Sequence, residues 1–312
     1  MKKKNFLVTG GSGFIGSNIC RLLISKGHRL TVFDDNSRGK SSNISDIMSK
    51  LKFIKGDIRD KKKLIGSLKG IDAVIHLAYI NGTKFFYSKP ELVLEIAIKG
   101  LINIIDGCIA NNIKEFYLAS SSEVYQTPYK IPTDEKEMLK VPDVMNPRYS
   151  YGGGKILSEL YCINYGRKYF KKMIIFRPHN VYGANMGNEH VIPEFINRFR
   201  KLKSNYFKIQ GNGKEVRSFI HIEDFVKAID LILKKGKHLN IYNIGTTEKI
   251  SIKKIVYMMA KILRVKVKIK KTKLMKGSAK IRCPDILKIK KLGFKQNISL
   301  ENGLHSLLKK IN

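Results

Sequence analysis

Tyr151 and Lys155 stand four residues apart in RYSYGGGKILSE (148–159), where small and apolar side chains then recur near helical spacing. On a helix that separation puts both side chains on one face. A tyrosine beside an ammonium can act as a general base toward an alcohol or sugar hydroxyl. Its phenol ordinarily ionises near pH 10, and bringing it to neutrality requires roughly 4 kcal/mol. An ammonium about 4 Å away supplies about that much at an effective dielectric near 20. Tyr149 is excluded from such a pair because the residue four further on is Gly153. The bland alternative is a surface Tyr–Lys neighbour pair.

Gly152, Gly153 and Gly154 lie between the two residues, and in a helix interior they cost about 1 kcal/mol each relative to alanine. The pattern predicts a catalytic helix face lying close to a flat ligand and to neighbouring backbone, with glycines leaving room. The rival is a loose loop at 152–154, which would disperse the pair.

A flat ligand is implied further upstream. GGSGFIG (10–16) follows the apolar run FLVT and opens the helical pattern FIGSNICRLLISKG. Gly11, Gly13 and Gly16 satisfy G-x-G-x-x-G, while Gly10, Gly13 and Gly16 give G-x-x-G-x-x-G. In either reading the glycines allow a sharp turn and close approach to a pyrophosphate, and the helix N-terminus at Phe14 and Ile15 offers free N–H groups. Asp34, eighteen residues beyond Gly16, closes the second strand. There a carboxylate accepts from both adenosine ribose hydroxyls and repels a 2′-phosphate, which points to NAD over NADP. Asp35 competes for that role, and a simple turn residue is the bland reading. Asp57 and Ile58 follow the third strand, where a carboxylate meets adenine's amino group; Leu77 and Ala78 follow the fourth, lining the cofactor. A cationic nicotinamide would further favour the Tyr151 phenolate.

These residues need strand ends to carry them. Short apolar runs at Asn5–Thr9, Leu30–Asp34, Lys52–Lys55, Ala73–Leu77, Glu115–Ser120 and Met173–Phe176 alternate with helical patterns at 14–26, 61–69, 90–111 and 151–170. That alternation predicts an α/β fold, a doubly wound parallel sheet covered on both faces. Beyond 177 the order loosens: helices near 190–203, 223–234, 251–263 and 300–310, strands near 206–209, 216–220 and 241–244. The expected division is a dinucleotide domain over 1–176 plus segments near 215–245, and a smaller substrate lobe over 177–214 and 246–312.

The 312 residues, 43% apolar, suit one large domain or two closely associated ones. No apolar run nears the roughly 18 residues of a membrane span. Met1-Lys2-Lys3-Lys4 superficially resembles a signal peptide, but the glycine-broken NFLVTGGSGFIGS reads as a mature strand. Four scattered cysteines without C-x-x-C fit reduced thiols of a cytoplasmic protein. A net charge of +35 invites a nucleic-acid reading, yet the lysines are spread along the chain without a basic arm or an aromatic–basic platform. No nucleic-acid partner is expected, and no His/Cys/Asp cluster has metal spacing.

Taken together, TGGSGFIGS, Asp34, GDI, HLA, ASSSEVY, YGGGK, RPHNVYG, VRSFIHIED and RCPDI resemble the extended short-chain dehydrogenase/reductase family, the NAD-dependent nucleotide-sugar epimerases and dehydratases. The resemblance runs along almost the whole chain. It implies a Rossmann domain with a C-terminal nucleotide-sugar lobe, and a homodimer through helices 90–111 and 151–170. It implies that Ser121 bonds the reacting hydroxyl with Ser122 beside it, and that Lys155 holds the cofactor ribose. Glu123 falls where dehydratases and decarboxylases carry a second acid/base, with a structural role as the alternative. Ser122 stands where dTDP-sugar 4,6-dehydratases carry Asp. Asn180 is implied in binding the sugar diphosphate, and Arg217 and Arg282 in clamping phosphate or nucleotide ribose, with a solvated surface charge the alternative for each arginine; His179 and His190 read as packing or orienting residues rather than bases, with a substrate contact as their one assigned role. The segment NVYGANMGNEHVIPEF is similar to bacterial surface-polysaccharide members, including ones acting on GDP-linked sugars. Oxidation at sugar C4 is the implied chemistry, by an epimerase or 4-dehydrogenase; dehydration or decarboxylation using Glu123 is the alternative, and a silent NAD-binding regulator the remote one. Three positions depart from the family: Ala97 replaces an Asn, Gln126 a Gly, and Tyr79 a small residue after HLA.

Overall fold

The computed structural model describes residues 2–272 and 279–309. Met1, the lobe segments 273–278 and 310–312, and the last residue of the helix expected near 300–310 lie outside the described residues.

Six strands follow the first-half pattern: β1 (Asn5–Thr9), β2 (Arg29–Asp34), β3 (Lys52–Lys55), β4 (Ala73–His76), β5 (Glu115–Ala119) and β6 (Lys172–Pro178). With Asn240–Ile244 they form one seven-stranded parallel sheet, ordered Asn240–Ile244, β6, β5, β4, β1, β2, β3. Strand order reverses between β1 and β4, and a crevice opens at such a switch point beyond the carboxyl ends of the strands. Alternating side chains enter two cores: Phe6, Val8, Val32 and Ile75 on one face, Leu7, Phe33 and Val74 on the other. Covering helices on both faces explain why these strands read as nearly continuous apolar runs.

Beyond β6 the chain builds a third core around Tyr182, Phe195, Phe207, Ile255, Met259 and Leu304. The helix Ile222–Lys235 and the strand Asn240–Ile244 return to the first core, as do Ile286, Ile289 and Phe294, which the sequence division assigns to the lobe. Val216–Arg217, which the division gives to the dinucleotide domain, pairs with Ile250–Ser251 and Ile281–Arg282 in a small three-stranded sheet. The strand Lys268–Thr272, absent from the sequence reading, pairs with Tyr206–Gln210; its KIKKT sequence is mostly solvent-facing lysine and carries little strand signal. The pattern at 90–111 is three pieces: a helix Pro90–Glu95, a π-helical stretch Ile96–Gly100 and a helix Leu101–Ala110. The π-helical stretch packs against the helix Tyr149–Tyr169, which begins two residues earlier than expected and is continuous through all three glycines. A loose loop at 152–154 is thereby excluded.

Candidate active site

One groove of about 1600 Å³ runs past the ends of β1, β2, β4 and β5 toward the C-terminal lobe, and the residues expected to bind cofactor or substrate, or to catalyse, line it, Gly11 and His179 excepted. At one end lies the glycine turn. Gly10 has φ +71°, and a Cβ there would sit 2.8 Å from the backbone nitrogen of Ala78. A Cβ on Gly16 would lie 2.1 Å from the Gly10 carbonyl oxygen. Gly11 turns away from the groove against Val32 and Cys20, so Gly10, Gly13 and Gly16 form the cradle. The helix Phe14–Ser25 starts at Gly13 with no side-chain cap, leaving first-turn N–H groups free for an anion. Asp34 is buried at the end of β2 and accepts from the Ser12 and Asn36 backbone nitrogens at 2.9 and 2.8 Å. Asp35 instead closes its own turn, accepting from the Ser37 nitrogen and hydroxyl. Thr9 fixes the next strand end, its hydroxyl accepting from the Leu77 and Ala78 nitrogens and bonding His76 Nδ1 at 2.8 Å. Burial, with the Lys155 charge adding, depresses His76 to about 3, so it stays neutral. Asp57 lines the groove, but Arg59 holds its carboxylate in a fork and keeps it below the usual carboxylate range. A cradle that admits no Cβ, uncapped N–H groups and a ribose-side carboxylate together fit NAD.

At the centre, Ser121 caps the short 3₁₀ turn Ser122–Tyr125 through the Glu123 nitrogen, and its hydroxyl is close enough to the Tyr151 phenol to draw its ionisation downward. Tyr151 is buried, stacked on Phe86 at 4.7 Å and edge-on to Tyr79 at 5.1 Å. Burial pushes its phenol well up, outweighing the lowering by the Ser121 hydroxyl and the Arg282 charge. The expected downward pull from Lys155 is not found in the free protein. Lys155 Nζ donates to the Ala119 carbonyl at 2.7 Å, lies 3.8 Å from the centre of the Tyr79 ring, and stands 5.9 Å from the centre of the Tyr151 ring. Same-face spacing brings the residues together but does not aim the ammonium. Burial draws Lys155 down to about 7, with Glu159 opposing.

Within the chain itself, two of the three glycines make room for particular side chains. A Cβ on Gly152 would lie 2.4 Å from the Gln126 amide nitrogen, and one on Gly154 would lie 2.3 Å from the Tyr79 hydroxyl and 2.9 Å from Ala97 Cβ. Gly153 has only Val141 within reach, at 3.4 Å. The space is taken by Gln126, Tyr79 and Ala97. Gln126, at φ +51°, donates to the Glu123 carbonyl at 2.6 Å and so braces the turn behind Ser121.

Toward the C-terminal lobe, Arg217 and Arg282 are register partners on paired strands. Arg282 forms a two-pronged ion pair with Glu123, and Arg148 approaches the same carboxylate at 3.9 Å. Burial raises Glu123, yet Arg282, Arg148 and Arg217 together hold it below the usual range. Burial and the Arg282 charge lower Arg217 to about 10. Asn180, at φ +39°, donates to the Ser218 carbonyl, tying the segment before Ile220 to the groove. His190 stands just before the helix Val191–Arg200 at the groove wall, without a side-chain cap bond, and is held below its ordinary value by burial.

Sequence reasoning missed Arg148, although it stands three residues before Tyr151. It also missed Arg38, whose guanidinium crosses to Glu189 at 3.1 Å over the groove. Arg177, within the quoted RPHNVYG, went unassigned: it is fully buried, donates to Glu159 and Tyr125, and anchors the helix Tyr149–Tyr169. Among the described residues no group of His, Cys, Asp and Glu could hold a metal, no helix is long and apolar enough to cross a membrane, and all four cysteines are free and buried.

Sheet, cradle and the Ser121–Tyr151–Lys155 set define a Rossmann protein built for a nicotinamide dinucleotide. The model of the NAD dependent epimerase/dehydratase family matches residues 6–245, and the chain belongs to that family. It is 31% identical to a UDP-N-acetyl-alpha-D-glucosaminuronate decarboxylase of Bacillus cytotoxicus, over 97% of this chain and 96% of that one. It is 32% identical to a putative UDP-glucose 4-epimerase of Methanocaldococcus jannaschii, over 96% and 95%. It spans only 59% of a dTDP-D-glucose 4,6-dehydratase of Dictyostelium discoideum, 32% identical over 80% of this chain. Among solved structures, the dTDP-glucose 4,6-dehydratase DesIV of Streptomyces venezuelae, with NAD bound, superposes with a TM-score of 0.89 at 25% identity, covering 98% of this chain and 96% of that one. The cofactor is NAD.

Proposed function

We propose that the protein oxidises a nucleotide-linked sugar at C4, with Tyr151 as the base. The observation that carries this is the Tyr151 phenol, lining with Ser121 the same groove as the glycine cradle and the paired Arg217 and Arg282. NAD, when bound, supplies the hydride acceptor. Tyr151 takes the C4 hydroxyl proton, Ser121 orients that hydroxyl, and Lys155 leaves the Ala119 carbonyl to hold the cofactor ribose. Planar guanidinium donors on Arg217 and Arg282 suit the diphosphate. Return of hydride to the opposite face gives a 4-epimerase; release of the ketone gives a 4-dehydrogenase. GDP- and UDP-sugars for a bacterial surface polysaccharide are the substrates this reading favours.

A second reading rests on the charge at the sugar end. Three guanidinium groups surround the single carboxylate of Glu123, an excess that suits an anionic sugar as well as a diphosphate. Oxidation at C4 turns a uronic acid into a β-keto acid, which loses carbon dioxide without an acid catalyst. A carboxylate held ionised by arginines suits that route better than dehydration, where an acid must protonate the leaving hydroxyl. The decarboxylase of B. cytotoxicus supports this alternative.

We also infer a cytoplasmic homodimer. Leu94, Ile98 and Ile102 make one exposed stripe, and Leu157 and Leu160 are exposed on the adjacent helix, the pattern of an uncovered helix pair. The free thiols suit a reducing compartment. Incubation with UDP-, GDP-, CDP- and dTDP-sugars, uronates included, followed by NMR and cofactor absorbance, tests the chemistry. Tyr151→Phe is expected to lose about 100-fold or more in turnover; turnover at the parent rate would refute the assigned base.

A further inference from the structure

Tyr79, Ala97 and Gly154 form one exchange of large for small. The Tyr79 hydroxyl reaches to 2.3 Å from where a Gly154 Cβ would stand, with Ala97 Cβ on the same spot. That hydroxyl is buried without a hydrogen-bond partner, so hydrogen bonding does not explain its place. What the ring does in the groove is carry Lys155: the ammonium lies 3.8 Å from the ring centre, while its one hydrogen bond goes to the Ala119 carbonyl. Aromatic faces stabilise a cation most where water is excluded, and Lys155 is buried.

We propose that Tyr79 is a positioning residue for Lys155, its ring forming a cation-binding platform beneath the ammonium, and that Gly154 and Ala97 are small because that ring must pass over the catalytic helix. The other charged or titratable groups facing Lys155 are Glu159 and Cys162 on its own helix, Tyr151 beside it, and His76 on β4. Glu159 is committed to Arg177 and Ser120, Cys162 and Tyr151 are protonated, and His76 is neutral. The Tyr79 face is then the contact that specifically favours the charged lysine and that a substitution can remove without altering another ion pair. The inference rests on NAD binding alone and is indifferent to which sugar reaction is catalysed.

NAD⁺ affinity measured by calorimetry between pH 6 and 9 tests it, because affinity declines as Lys155 loses its proton. Tyr79→Phe keeps the face and is expected to reproduce the parent profile. Tyr79→Leu keeps the bulk but not the face, and the decline is expected to begin roughly half to one pH unit lower. A Tyr79→Leu profile that superposes on the parent, in a protein that still unfolds cooperatively, would overturn the proposal. Thermal unfolding without cofactor tests the packing. Gly154→Ala is expected to melt lower than the parent, and adding Tyr79→Phe, which removes the 2.3 Å contact but leaves Ala97 Cβ at 2.9 Å, is expected to restore part of the loss. A Gly154→Ala protein that melts with the parent, or one that Tyr79→Phe does not rescue, would show that the ring and the glycine are not matched.

Discussion

The groove holds two glycine clusters, and they are glycine for different reasons. At Gly10, Gly13 and Gly16, the three that line the groove, the obstruction is backbone: Gly10 meets the Ala78 nitrogen, and Gly13 and Gly16 meet the Gly10 carbonyl. Nothing there can rotate aside, so the glycines belong to the geometry of a strand turning into a helix over a pyrophosphate. At 152–154 the obstruction is side chain, the Gln126 amide and the Tyr79 hydroxyl, and at Gly153 there is hardly any. The first cluster is a demand of the fold. The second is an accommodation between particular residues, and it weakens the helix that carries the proposed base. A helix with three interior glycines needs support from elsewhere. The buried Arg177–Glu159 pair, joined by Ser120 and Tyr125, supplies it by tying the helix to β6 and to the end of β5.

The largest effect is therefore expected outside both clusters. Arg177→Met leaves Glu159 buried and unpaired, and breaking a pair of this kind costs about 3–5 kcal/mol. Denaturant unfolding should show that loss. A loss under about 1 kcal/mol would mean that the glycine-rich helix is held by its apolar contacts alone. Next comes Gly16→Ala. Overpacking against rigid backbone costs about 1–3 kcal/mol, and a shift of Gly10 also moves the cradle, so unfolding and NAD⁺ calorimetry should both register it. Unaltered NAD⁺ affinity would remove the distinction between the two clusters.

What the sequence makes legible follows the same distinction. The strand ends, the cradle and the Tyr151–Lys155 face follow from local periodicity and from a turn that backbone sterics dictate. Whether Gly10 or Gly11 completed the cradle stayed open, because choosing needs the contact of Gly11 with Val32. The side-chain accommodation was only half legible. Tyr79 and Gln126 stand out as departures and the triplet stands out as costly, but their matching depends on contacts across 75 and 26 residues. The same holds for Arg217 beside Arg282, for Arg148 near Glu123, and for the aim of the Lys155 ammonium. Spacing along a helix assigns a face, whereas rotamer and partner come from packing.

Gly152→Ala separates a side-chain obstruction from a backbone one. The added methyl meets the Gln126 amide nitrogen at 2.4 Å but the Glu123 carbonyl only at 3.2 Å. A flexible amide can move, at the loss of its bond to that carbonyl, worth about 1 kcal/mol. Better helix propensity returns about as much. The melting temperature should stay near the parent's, while sugar turnover falls because the turn carrying Ser121 and Glu123 loses its brace. Gln126→Gly should show the same split. Full turnover in both variants would break the link between Gln126 and the proposed catalytic turn.

The smallest effect is the most diagnostic, because its sign is opposite. Gly153 lies inside the helix, and a methyl there finds only Val141 Cγ2, at 3.4 Å. Nothing must move, and the unfolded chain loses freedom it would otherwise regain. Gly153→Ala is expected to stabilise the protein by about 0.4–1 kcal/mol, read as a higher denaturant midpoint with an unchanged slope, and to leave NAD⁺ affinity as it is. If the midpoint instead falls, room beside the catalytic helix is needed at all three positions, for a ligand or a movement rather than for Gln126 and Tyr79. The accommodation of particular side chains would then no longer explain the triplet.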